Sequence, residues 1–109
     1  MDFTTLEGSE LDFVVARAEV ARGQMDIRLS DTGRSMIMAV GGGWESFRPS
    51  VSWSHGGPII ERERIVLIPQ ATEPRHWIAN WEAVPIGARP ITGPTPLIAA
   101  MRAYVAGAM

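Results

Sequence analysis

Apolar and polar positions alternate with a helical period at the two ends of the chain and with shorter periods between. Leu11, Val14, Val15, Ala18 and Ala21 recur at helical spacing, which predicts a helix over Ser9–Arg22 with Gly23 as its stop. Ser9 suits the N-cap and Asp12 stands three residues on, a weaker relative of the capping box. Glu10 and Asp12 fall at the positive end of the helix dipole, Arg17 and Arg22 toward the negative end. Met25, Ile27 and Leu29 then alternate with Asp26, Arg28 and Ser30. With Asp31-Thr32-Gly33 as the turn and Met36–Val40 as the returning strand, this predicts a hairpin. Gly41-Gly42-Gly43 ahead of Trp44–Phe47 reads as a mobile loop.

Farther along, Ile65–Ile68 is a wholly apolar run that predicts a central strand stopped by Pro69, with Gln70–Arg75 as a polar connection. His76–Ala83 alternates again, placing Trp77, Ala79 and Trp81 on one face. Three prolines and two glycines make Pro85–Pro94 a loop. Thr95 as N-cap and Pro96 at the first position open a final helix through Met109, with Leu97, Ile98, Met101, Tyr104 or Val105, and Ala108 as its apolar stripe. The predicted class is α+β: a small antiparallel sheet with an N-terminal and a C-terminal helix packed on one face, in a single domain spanning 1–109.

The chain is organised around Pro49–Arg64, PSVSWSHGGPIIERER. Pro49 holds Arg48 extended, and the alternation that follows would set Val51 and Trp53 on one face of a short extended piece. Gly56-Gly57-Pro58 reads as a corner. Pro58–Glu63 admits two readings, a short helix seating Ile59 and Ile60 or a strand from Ile59 onward. Gly-Pro is a common helix entry, so the helix is favoured.

Composition removes several function classes. A net charge of −2 leaves no electrostatic footprint for nucleic acid. The absence of cysteine excludes disulfides and thiolate metal sites. The N-terminus does not read as a signal peptide, and no apolar run is long enough to span a membrane, so the expectation is a soluble protein. Four Trp and six Met are much large apolar surface for two small helices to cover, and a homodimer is one consequence.

Candidate chemistry is sparse. His55 and His76 lack the helical His-x-x-x-His spacing of a zinc site, and read as a loop histidine and a strand histidine. The glycine triplet is not followed by Lys-Ser or Lys-Thr, so it is no phosphate loop. Ser50, Ser52 and Ser54 form no nucleophile elbow. Glu61, Glu63, Glu73 and Glu82 offer no recognisable acid–base pair. No metal, cofactor or catalytic residue is expected.

Three segments carry a resemblance. Leu11-Asp12-Phe13-Val14-Val15-Ala16, the stretch from Pro49-Ser50 and Trp53-Ser54 through Gly56-Gly57-Pro58-Ile59-Ile60-Glu61-Arg62, and Gly93–Arg102 together resemble the phage NinX-like family. Phe13 replaces that family's usual Trp, and Ser52 its usual Asp or Asn. Relatives often continue into a short acidic tail, beyond where this chain stops. The resemblance implies a phage or prophage accessory protein acting in the cytoplasm of a bacterial host, and it brings no catalytic residue. Proteins of this kind often work by binding a host or phage protein. Trp44, Trp53, His55, Gly56, Gly57, Glu61 and Arg62 are the candidate interaction surface, because aromatic residues and arginine are the usual anchors. Single-stranded nucleic acid, stacking on Trp44 and Trp53 beside Arg48, Arg62 and Arg64, is one weaker alternative, and a small enzyme with no recognisable motif is the other.

Overall fold

Helices close the described chain at both ends and the strands divide into two small sheets. The computed structural model describes residues 5–39, 41–72 and 77–108. Helix α1 (Gly8–Ala21) leads into strands β1 (Ile27–Leu29), β2 (Ser35–Met38) and β3 (Trp44–Ser46), which pair antiparallel in that order. Helix α2 (Trp53–Glu63) follows. Strands β4 (Val66–Thr72), β5 (Trp77–Val84) and β6 (Ile91–Gly93) form a second antiparallel sheet, and helix α3 (Pro96–Ala108) ends the chain. The class is α+β with a helix at each end, as expected. Each sheet has its own helix: α1 packs on β1 and β2, α3 on β5 and β6.

α3 is the hub, because it also contacts α1 and α2. Its residues Ala99 through Val105 are all buried, so the helix is sealed on nearly every side. Small side chains permit this. Gly93 lies so close to α3 that a Cβ there would stand 2.6 Å from the Ala99 amide nitrogen. Arg102 is buried with them, and its guanidinium donates to the carbonyls of Leu6 (2.8 Å) and Thr92 (3.1 Å), which ties the start of α1 and β6 to α3. Thr95 caps the helix as expected, its hydroxyl accepting the Ile98 amide at 3.1 Å.

Several local expectations are corrected. The N-cap of α1 is Glu7 and no side chain caps it. Asp12, expected in a capping role, is instead buried, accepting the Ser50 amide at 2.8 Å. Ala21 and Ala108 are exposed. The glycine triplet is the turn between β2 and β3, with φ of 93°, 97° and 82° at Gly41, Gly42 and Gly43, a conformation any side chain would strain. Trp44–Ser46 beyond it is a strand. β4 runs through Pro69 to Thr72, which an edge strand permits because Pro69 has no amide to leave unpaired. The Pro85–Pro94 loop yields Ile91–Gly93 to β6. β6 pairs only with Trp81–Ala83, so Gln70–Thr72 and Trp77–Asn80 extend beyond it as a two-stranded ribbon. His76 and Glu73 lie outside the described residues.

Candidate interaction surface

The central stretch is a helix from Trp53 onward, and neither the extended piece nor the glycine corner forms. Arg48–Val51 make a turn, and the Gly56 amide closes the first helical turn on the Ser52 carbonyl at 2.8 Å. Pro58 stands inside α2. A proline disfavours the helical conformation of the residue before it, through clash with that residue's Cβ. Gly57 has no Cβ, and that removes much of the obstacle. α2 ends at Arg64, the one non-glycine residue with positive φ (54°) among the described residues, where its amide and that of Ile65 satisfy the last carbonyls.

The two glycines have different work. A Cβ on Gly56 would lie 2.5 Å from the Pro49 carbonyl oxygen and 2.8 Å from Leu97, so Gly56 sets how closely α2 approaches the preceding turn and α3. A Cβ on Gly57 would meet nothing within 4 Å beyond its neighbours in the chain. Gly57 lies between Trp53 and Glu61 on one face of the helix, at i, i+4 and i+8. Trp53 is 55 % exposed and Val51, just before the helix, 63 %. Glu61 is exposed on the same face.

His55 points the other way. Its Nδ1 accepts the Arg48 amide at 2.9 Å, which places the proton on Nε2, and that nitrogen meets Glu45 Oε1 at 3.1 Å. The ring also stands 5.6 Å from Phe47. With both nitrogens engaged, no lone pair remains for a metal or a substrate proton. The residue ties β3 to α2.

Arg62 is a clamp. Its two terminal nitrogens donate to the two carboxylate oxygens of Glu19, at 3.0 and 2.9 Å, and its Nε donates to Glu63 at 2.8 Å. Glu19 is 3 % exposed and also accepts the Tyr104 hydroxyl at 2.7 Å. Arg22 reaches Glu63 at 3.2 Å. One residue from each helix therefore meets at Glu19. Burial and the bond to Glu19 push the Tyr104 hydroxyl up to about 12, and the Glu19 bond raises Arg62 above its already high value. For Glu63, burial pushes the carboxyl up, but Arg62 and Arg22 outweigh it and the net direction is down.

Trp44 is half-buried on β3, under the Arg28 guanidinium at 4.0 Å from the ring. Of the seven candidates, Trp53, Gly57 and Glu61 share an outward face. His55, Gly56 and Arg62 hold α2 in place, and Trp44 sits on a separate element. Glu19 was missed, although Leu11, Val15 and Glu19 are spaced by four and put the carboxylate on the apolar face of α1. No group of three or more metal-ligating side chains occurs among the described residues, and no helix there is long and apolar enough to cross a membrane.

The chain matches the family described as Bacteriophage P22, NinX over residues 2–108, nearly its whole length, and belongs to that family. No curated protein matches it.

Proposed function

We propose that this member of the NinX family is a phage accessory protein that works by binding another protein, of phage or host origin, in the host cytoplasm, through the outward face of α2. The observation that carries this is the exposure of Trp53. A large aromatic at the first position of a helix gains nothing from helix propensity, and among the described residues it has no hydrogen-bond or ring partner. Exposed aromatics of this kind are the usual anchors of interfaces. Val51 adds apolar area beside it, and Glu61 supplies a charge at the far end of the stripe. Gly57 stands between them with open space where a side chain would be.

Nucleic acid is disfavoured on the same surface. Arg62 is committed to Glu19 and Glu63, and one face of Trp44 is covered by Arg28. The basic and aromatic cluster that stacking requires is thereby broken up.

The experiment is photocrosslinking from two positions in phage-infected cells, Glu61 on the proposed face and Asn80 as an exposed control on the second sheet. A discrete adduct from position 61 and none from position 80 is expected. No adduct, or the same adduct from both, contradicts this use of the α2 face. An adduct whose mass is that of two copies of this chain would make the partner a second copy.

A further inference from the structure

A cleft of about 620 Å³ opens where the start of α1 meets the turn ends of the first sheet, with Ser9, Asp12, Arg34, Ser35, Ser46 and Arg48 on its walls. Its size suits a small polar ligand. Met36 pairs with Ser46, and the Phe47 amide bonds the Ser35 carbonyl at 3.0 Å. Arg34 immediately precedes β2 and Arg48 lies two residues beyond β3, and both line the cleft. Neither guanidinium has a hydrogen bond or ion pair within the protein among the described residues. Asp12 attracts Arg48 but makes no ion pair with it. The Asp12 carboxylate, 7 % exposed, has one oxygen on the Ser50 amide. Seryl hydroxyls at 9, 35 and 46 complete a lining of donors and acceptors.

We propose that this cleft binds a small phosphorylated sugar, with Arg34 and Arg48 taking the phosphate and Asp12 accepting from the sugar hydroxyls. The guanidinium fork matches the geometry of a phosphate. A carboxylate on the wall would repel a bare anion but suits a ligand that also brings hydroxyl donors. The site is separate from the α2 face and does not depend on it.

The test uses the whole chain with ribose 5-phosphate, ribose, inorganic phosphate and a short single-stranded oligonucleotide as probes, read by Tm and titration calorimetry. Ribose 5-phosphate should raise Tm and ribose should not. Arg34→Gln and Arg48→Gln, at exposed side chains, should each weaken ribose 5-phosphate about tenfold or more. Asp12→Asn, which keeps an oxygen for the Ser50 amide, should change the affinity for ribose 5-phosphate more than that for inorganic phosphate. No Tm rise with millimolar ribose 5-phosphate overturns the assignment, as does equal binding by the arginine variants. Binding of the oligonucleotide alone would overturn it too, in favour of an open nucleic-acid surface.

Discussion

Arg62 grips both carboxylate oxygens of Glu19, forty-three residues away, at 3.0 and 2.9 Å. The bond locks the last turn of α2 to the last turn of α1, and the Tyr104 hydroxyl brings α3 to the same carboxylate. A charge as deeply buried as that of Glu19 is tolerable only while it is paired and hydrogen-bonded. Arg62 is therefore a fold-holding residue even though its side chain is 33 % exposed.

Removing the clamp should be costly. Arg62→Ala strands the Glu19 carboxylate with only the Tyr104 hydroxyl, and the expected loss is about 3–5 kcal/mol in urea unfolding. Arg62→Lys should recover part of it, since an ammonium cannot make the bidentate contact. A loss under about 1 kcal/mol for Arg62→Ala would show that the pair contributes no more than a surface ion pair.

Tyr104→Phe keeps the ring and removes the donor to a buried charge, for an expected cost of about 1.5–3 kcal/mol. The pH dependence carries a second signature. With its native value raised to about 12, Tyr104 contributes stability that is complete below the ordinary tyrosine value near 10 and is lost as pH rises toward 12. Unfolding free energies measured across that window should fall less steeply in Tyr104→Phe than in the unsubstituted protein.

Asp12 gives the corresponding effect in acid. Burial raises its carboxyl above the ordinary aspartate value, while the bond from the Ser50 amide and the charge of Arg48 pull the other way without prevailing. Its contribution is complete below the unfolded value near 4 and falls as pH rises through the raised native value. Asp12→Asn removes that titration while keeping the acceptor for the Ser50 amide. Urea unfolding at mildly acidic and neutral pH should therefore show the variant gaining on the unsubstituted protein as pH rises.

Gly56→Ala forces a methyl group against the Pro49 carbonyl at 2.5 Å. Backbone cannot yield as a flexible side chain does, so a loss of about 1–3 kcal/mol is expected. A melt unchanged from that of the unsubstituted protein would mean the turn at Pro49 moves freely.

The terminal helices were legible because their apolar spacing is a local signal, although the cap expected for α1 at Ser9 does not form. Thr95-Pro96 marks the start of α3, and the hydroxyl of Thr95 does cap it. Pro58–Glu63 is helical, as favoured, but the corner ahead of it is not, because Gly-Gly-Pro has two local meanings, a corner or a proline tolerated in a helix by a preceding glycine. Only packing against Pro49 and Leu97 decides between them. β4 passing through Pro69 depends on being an edge strand, a property of the sheet and not of the segment. The division of the candidate surface was hidden for a similar reason. Whether Arg62 faces solvent or Glu19 depends on a partner on another helix. The signal for Glu19 was present in its four-residue spacing from Val15.

The most direct measurement of the α2 face is quantitative co-purification from phage-infected cells with Trp53→Ala and Glu61→Lys combined, compared with the unsubstituted chain. Both side chains are exposed, so Tm should change by no more than a few degrees. At equal amounts of folded protein, the expected result is loss of a discrete partner that the unsubstituted chain retains. Full retention of that partner by the double variant would contradict the proposed face.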